Sequence, residues 1–287
     1  MPSSSPDSRS KSSSPPIFTP DRLAVTVTVI LLAAAAASWL ASYYLMPFMM
    51  LSDSSSSSGM MAMSGVAAIV SSSLSISTVG FFEVVWVIGM AAMMFPAMIP
   101  MVLFYDKVKT KLESNPALAK IAGTPLFLGG YLATYAILGL GVYLAVFAAI
   151  NLSMRFPVLA AFSIVAPSAI LIATGFYQFS SLKTRCISQC VSPLGFFATH
   201  SKKGLFGAFQ MGFTHGIFCV GCCWAYMLVM LAVGAMSIPI MAALACVIAL
   251  EKVIVRGSVW FSRAVAIAFI ALGILVAFFP AILSSYI

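Results

Sequence analysis

Charge is what this sequence most conspicuously lacks. Only 8% of its 287 residues are charged, 62% are hydrophobic, and the mean hydropathy is +1.08. A soluble domain carries about 25% charged residues, so no aqueous surface can be assembled here. The chain therefore reads as a polytopic membrane protein. Acids are the scarcer sign, seven against fifteen basic residues, and histidine occurs twice. Catalytic signatures are missing as well: no P-loop, HExxH, GxSxG or dinucleotide fingerprint stands where its chemistry would need it. That absence favours a binding protein over an enzyme. No internal repeat is visible, which weakens an inverted-repeat transporter. The six cysteines do not read as a disulfide scaffold, because four of them fall inside apolar runs. A cleaved signal peptide is not expected either, since a Ser/Pro-rich polar tail, residues 1–22, precedes the first apolar run. That tail has the composition of a disordered segment.

What is present is apolar and long. A bilayer core of about 30 Å needs roughly 20 residues of helix, and such stretches lie at 23–46, 81–105, 124–150, 158–180, 205–235, 238–255 and 262–284. The expected fold is all-α, a transmembrane bundle of about seven helices forming one domain over 23–287, with the lipid bilayer as its first partner. With the N-terminus inside, fourteen of the fifteen basic residues fall on the inner side and only Arg155 falls outside. The net charge of +8 is then topology, not a nucleic-acid footprint. A multi-pass protein of the cytoplasmic membrane follows, with its N-terminus cytoplasmic and its C-terminus outside.

Within this oily chain, His215 to Trp224 reads HGIFCVGCCW. At about 100° per residue, Met211, His215, Cys219 and Cys222 share one helical face and Cys223 sits at its edge. His215 lies roughly 15 Å from the inner end of its helix, close to the bilayer centre. Thiol, thioether and imidazole groups together suit Cu(I) or Zn(II), and polar groups at that depth are functional suspects. A bland alternative treats the cysteines as small apolar side chains and the histidine as bonded to a carbonyl. The second apolar stretch carries WVIGMAAMMFPAMIPM, where Met90 and Met94 share a face at the same depth and Pro96 and Pro100 would kink or open the helix. Packing explains such a Met stripe equally well. Outside, a Ser-rich loop at about 47–80 holds Met60, Met61 and Met63, with Met46, Met49 and Met50 just before or within it. These thioethers could form weak Cu(I) sites. Inside, a loop at about 181–204 carries Cys186 and Cys190, four apart and flanked by Lys183 and Arg185, which could relay a soft metal or cycle as a dithiol. Glu251 adjoins Lys252, which reads as a local ion pair or an interfacial anchor.

The stretches YQFSSLKTRCISQCVSPLGF and GAFQMGFTHGIFCVGCCWAYMLVMLAVGAM, a later EK, and the upstream Met/Pro helix resemble a family of predicted metal-binding integral membrane proteins of unknown function. The likeness covers about residues 81–255 and is most specific in the GxxHGxxCxGCCW core. It implies Met90, Met93, Met94, Pro96, Pro100, Lys183, Cys186, Cys190, Met211, His215, Cys219, Cys222, Cys223, Trp224, Glu251 and Lys252 as motif positions. It also implies metal binding, without naming the metal. The expectation is thus a membrane protein that binds Cu(I), or alternatively Zn(II). His215, Cys219 and Cys222 would be primary ligands, with Cys223, Met211, Met90 and Met94 secondary and Cys186 and Cys190 exchanging metal at the inner face. It would transport copper or deliver it to a membrane cuproenzyme or metal chaperone. The rivals are a membrane thiol–disulfide oxidoreductase and a structural subunit of a larger complex.

Overall fold

A computed structural model of the chain describes residues 22–51, 75–112, 116–234 and 238–279. The N-terminal tail and the loop methionines Met60, Met61 and Met63 lie outside the described residues, and nothing is described of the side chains of Met46, Met49 and Met50. Among the described residues all regular structure is helical, as the composition predicts. The nine α-helices there that exceed a single turn are α1 (Arg22–Leu51), α2 (Ile76–Leu112), α3 (Thr124–Arg155), α4 (Pro157–Tyr177), α5 (Ser181–Val191), α6 (Pro193–His200), α7 (Gly204–Gly234), α8 (Ile238–Ala249) and α9 (Val259–Phe278). Two π-helical segments interrupt the regular pattern, Ala119–Gly123 before α3 and Leu250–Ile254 after α8.

Five helical stretches are long and apolar enough to cross a membrane, at 24–45, 76–112, 119–153, 204–232 and 259–278. A sixth exists if α4 and α5, bent by 68° at Tyr177–Ser181, count as one broken span. The difference from the seven expected stretches is local. Residues 238–249 form only a 12-residue helix before the π-helical turn, short of the roughly 20 residues a perpendicular crossing needs. Residues 181–200, read as an inner loop, instead form α5 and α6, and α5 packs back along α7. The apolar helices are compatible with a membrane protein, and large side chains such as Ile30, Leu40, Ile137, Phe206 and Ile267 point outward. Helix α2 runs without a break through Pro96 and Pro100.

The core is organised around α3, which packs on both α2 and α7. Its approach to α7 depends on glycine. A Cβ added at Gly212 would stand 1.9 Å from the Phe127 carbonyl oxygen, and one at Gly130 would stand 2.1 Å from that of Phe209. Backbone contact of this kind is the small-residue packing found where helices associate without a hydrophobic drive. It brings the inward face of α7 against the tyrosines of α3. Three basic residues counted toward the expected orientation are not at a surface at all: Lys109 is 5% exposed, Lys183 1% and Lys252 7%. Lys109 pairs with Asp106, whereas Lys183 and Lys252 turn inward toward α7.

Candidate metal centre

Helix α7 carries the site because its polar residues recur with the helical period. His215, Cys219, Cys222 and Tyr226 follow at intervals of four, three and four, which aligns them in one stripe. All four are buried, with His215, Cys219 and Cys222 each 2% exposed and Tyr226 1%. Helix α5 completes the arrangement. Ser180 caps it by accepting a hydrogen bond from the Lys183 backbone N–H. The 68° turn from α4 then lays it along α7. Gly221 makes room, since a Cβ there would meet Cys186 Sγ at 2.6 Å, and the Tyr177 hydroxyl donates to the Gly221 carbonyl.

The result is a trio of sulfurs from two helices. The Sγ atoms of Cys190, Cys219 and Cys222 all lie within 4.8 Å of one another. Cys222 Sγ is 3.8 Å from Cys190 Sγ and 3.3 Å from Cys223 Sγ. For comparison, a metal about 2.3 Å from each of three coplanar sulfurs holds them roughly 4.0 Å apart. The trio is therefore already near coordination spacing, and its donor set is that of a soft ion.

Cys219 has further partners. The Tyr135 hydroxyl donates to its sulfur at 3.1 Å, the Tyr131 hydroxyl lies 3.1 Å away, and Lys252 Nζ donates at 2.8 Å. The two phenols are 3.4 Å apart, as expected for residues one turn apart on α3. Next to the trio, a buried ionic network uses the other inward lysine. Lys183 Nζ is 2.5 Å from Glu251 Oε1 and 3.2 Å from the Tyr226 hydroxyl, and it also donates to Gln178 Oε1. Glu251 accepts in addition from the Tyr226 hydroxyl at 3.1 Å and from Ser262 at 2.7 Å. A buried carboxylate needs such saturation.

His215, expected as a primary ligand, is not among the ligand atoms that lie within 4.8 Å of one another; its ring sits in an aromatic box of Phe127, Tyr131 and Phe196, with ring centroids 5.3 to 6.3 Å away. Its Nδ1 is buried and has no hydrogen-bond partner. Cys223 touches the trio through Cys222. Cys186 is buried against Gly221, outside the trio. The Met211 sulfur accepts the Lys202 backbone N–H at 3.3 Å and faces that end of the bundle. Met90 and Met94 are 1% and 0% exposed on α2 and belong to the same core as the cysteines, although their helix packs mainly on α1 and α3 and not on α7. Glu251 is not paired with Lys252, the partner that adjacency suggests. It pairs with Lys183, and Lys252 goes to Cys219.

Periodicity and spacing assign no role to Tyr131, Tyr135 or Tyr226, and they leave Lys183 and Lys252 as surface charges. The available signal is two tyrosines four apart in an apolar run, whose hydroxyls need partners once buried. For Lys183, Glu251 and Lys252 the only indication is the family resemblance.

No curated protein and no solved structure matches the chain. A protein family described as copper chaperone, PpoB2, matches residues 83–276, which run from two turns into α2 to the last turn of α9 and include every residue of the sulfur trio and the ionic network. The expected likeness ends at about residue 255, so the match also takes in Ser262 and α9. By this match over most of its length, the chain belongs to the PpoB2 copper chaperone family.

Proposed function

We propose that the protein holds Cu(I) on Cys190, Cys219 and Cys222 inside a membrane bundle and passes it to a membrane cuproenzyme. The observation that carries this reading is the sulfur trio, in which three thiols from two helices lie within 4.8 Å of one another, Cys219 and Cys222 buried and Cys190 half-buried. Thiol ligands select soft ions. His215 lies outside that close group, but its buried Nδ1 has no partner in the structure, and since an orphaned buried nitrogen is costly it is the candidate for a further donor after a small rearrangement. Cys223, one bond of contact from Cys222, can replace a trio member during transfer, and Met90 and Met94 provide thioethers in the same core. Cys190 alone comes from α5, so a small displacement of that helix removes one ligand and leaves two on α7. This asymmetry suits a carrier, which must release its ion as well as hold it. The basic residues Lys107, Lys111, Lys202 and Lys203 support an orientation with the N-terminus inside, in what we take to be the cytoplasmic membrane.

The test is elemental analysis and Cu(I) competition titration of the purified chain, set beside a Cys190→Ser/Cys219→Ser/Cys222→Ser variant. One tightly held copper in the wild type and none in the variant is the expected outcome. Equal copper in both removes the trio from the function. A second reading has its own observation: the 3.8 Å separation of Cys190 and Cys222 also suits a dithiol that cycles with a disulfide. Trapping a mixed disulfide at Cys190 with a partner in cells, together with no copper on the wild type, would favour it.

A further inference from the structure

Lys252 enters the sulfur site from the π-helical turn after α8, with Nζ 2.8 Å from Cys219 Sγ. Its surroundings offer no carboxylate. Glu251, its neighbour in sequence, is occupied by Lys183 and Ser262 on one oxygen and by Tyr226 on the other. The other groups at Cys219 are the phenols of Tyr131 and Tyr135. Among the described residues no acid hydrogen-bonds Lys252 or a sulfur of the trio. The fold therefore holds the Lys252 ammonium at the edge of the site, 7% exposed, with Cys219 Sγ as its acceptor.

This charge acts on whatever ion the sulfurs take. An ion on Cys219 at an ordinary metal–sulfur distance of about 2.3 Å lies within roughly 5 Å of the Lys252 ammonium, given the 2.8 Å between nitrogen and sulfur. At that range each unit of charge on the ion weakens binding by a factor on the order of a hundred, at the effective dielectric of a protein interior. A monovalent ion incurs the factor once and a divalent ion twice. Thiols and imidazole accept Zn(II) as well as Cu(I), so the ligand set alone does not separate the two ions.

We propose that Lys252 is the specificity-determining residue of the site, a cation that biases the sulfur ligands toward a monovalent soft ion over divalent ones such as Zn(II) or Cd(II). The proposal rests on the copper-binding reading above and adds the residue that sets the preferred valence of the cargo.

The experiment uses the purified full chain as wild type, Lys252→Met, Lys252→Gln and Lys252→Arg, each titrated with Cu(I) and with Zn(II) against chromophoric chelators. The ratio of Cu(I) to Zn(II) affinity should fall by about tenfold or more in both neutral variants, a conservative reading of the electrostatic factor, and stay near the wild-type ratio in Lys252→Arg. An unchanged ratio in folded neutral variants overturns the proposal. So does an equal loss of affinity for both ions, which is what a merely structural lysine would give. Ag(I) and Cd(II), two soft d10 ions of different charge, supply a second arm: the wild type should hold Ag(I) more tightly than Cd(II), by a margin that shrinks in Lys252→Met. Cd(II) held as tightly as Ag(I), or a margin unchanged in Lys252→Met, overturns the proposal. Retention of neither ion defeats the sulfur site itself, an outcome distinct from failure of the valence bias.

Discussion

Replacing Lys183 with Met tests whether the ionic network holds α5 against the rest of the bundle. Its ammonium is 2.5 Å from Glu251 Oε1, with side-chain exposures of 1% and 2%. At an effective dielectric of about 20 the attraction at that distance is roughly 7 kcal/mol. Desolvation of two buried ions, several kcal/mol each, offsets most of it. The net worth of the pair is therefore small, but removing one partner leaves a buried charge unmatched, which costs about 3–5 kcal/mol. Glu251 would keep its bonds from Tyr226 at 3.1 Å and Ser262 at 2.7 Å, so Lys183→Met should fall at the lower end, about 3 kcal/mol. Glu251→Gln should cost a similar amount, because Lys183 then keeps only Gln178 and the Tyr226 hydroxyl as acceptors. The double variant, with no net buried charge at the site, should recover at least half of the summed loss, the sign of a coupled pair. The assay is reversible unfolding in mixed micelles followed by circular dichroism. A loss below about 1 kcal/mol in either single variant, or strict additivity in the double, would refute the reasoning, since both would mean that the network is not a closed, water-free pair.

Two further outcomes follow from packing and burial. Gly212→Val should separate α3 from α7, because even a Cβ would lie 1.9 Å from the Phe127 carbonyl oxygen; the cost is about 3 kcal/mol or more, while Gly141→Ala, with nothing within 4 Å, is neutral in the same titration. Maleimide labelling of the native chain should modify exposed Cys246 first and half-buried Cys190 more slowly, leaving the other four cysteines, all buried, unlabelled until unfolding. Copper should protect Cys190 without affecting Cys246, and labelling of Cys219 or Cys222 ahead of Cys246 would contradict the closed site.

Helical periodicity makes the polar face of α7 legible, because residues at intervals of three and four must align whatever surrounds the helix. His215, Cys219 and Cys222 can be read from the chain in this way, as can the all-helical class. The α5 contribution cannot. Cys186 and Cys190 lie in a short polar segment that reads as a loop, and only the 68° bend after Tyr177 and the glycine at 221 bring α5 onto α7. Those are tertiary facts with no local periodic signature. Tyr131 and Tyr135 are hidden by the same counting that finds their helix, since an apolar-run scan scores tyrosine as hydrophobic and ignores its hydroxyl.

The pair Glu251–Lys252 shows why adjacency misleads. Neighbours in a helix point about 100° apart and do not face each other, so opposite charges side by side in sequence are poorly placed to neutralise one another. The π-helical turn over Leu250–Ile254 presents both inward, where each is buried and each must find a partner of its own. Glu251 is drawn to Lys183 on α5, and the requirement for a second acceptor is then met at Cys219 Sγ. The two partnerships are linked: once Lys183, Tyr226 and Ser262 fill the carboxylate, the Lys252 ammonium has no nearer anionic neighbour than the sulfur site. A π-helical insertion in an otherwise regular segment often marks a functional position, and here its consequence is specific. It lets one short turn place a carboxylate in a structural ion pair and a cation beside the candidate copper ligands, so that the charge beside Cys219 depends on an ion pair containing none of those ligands.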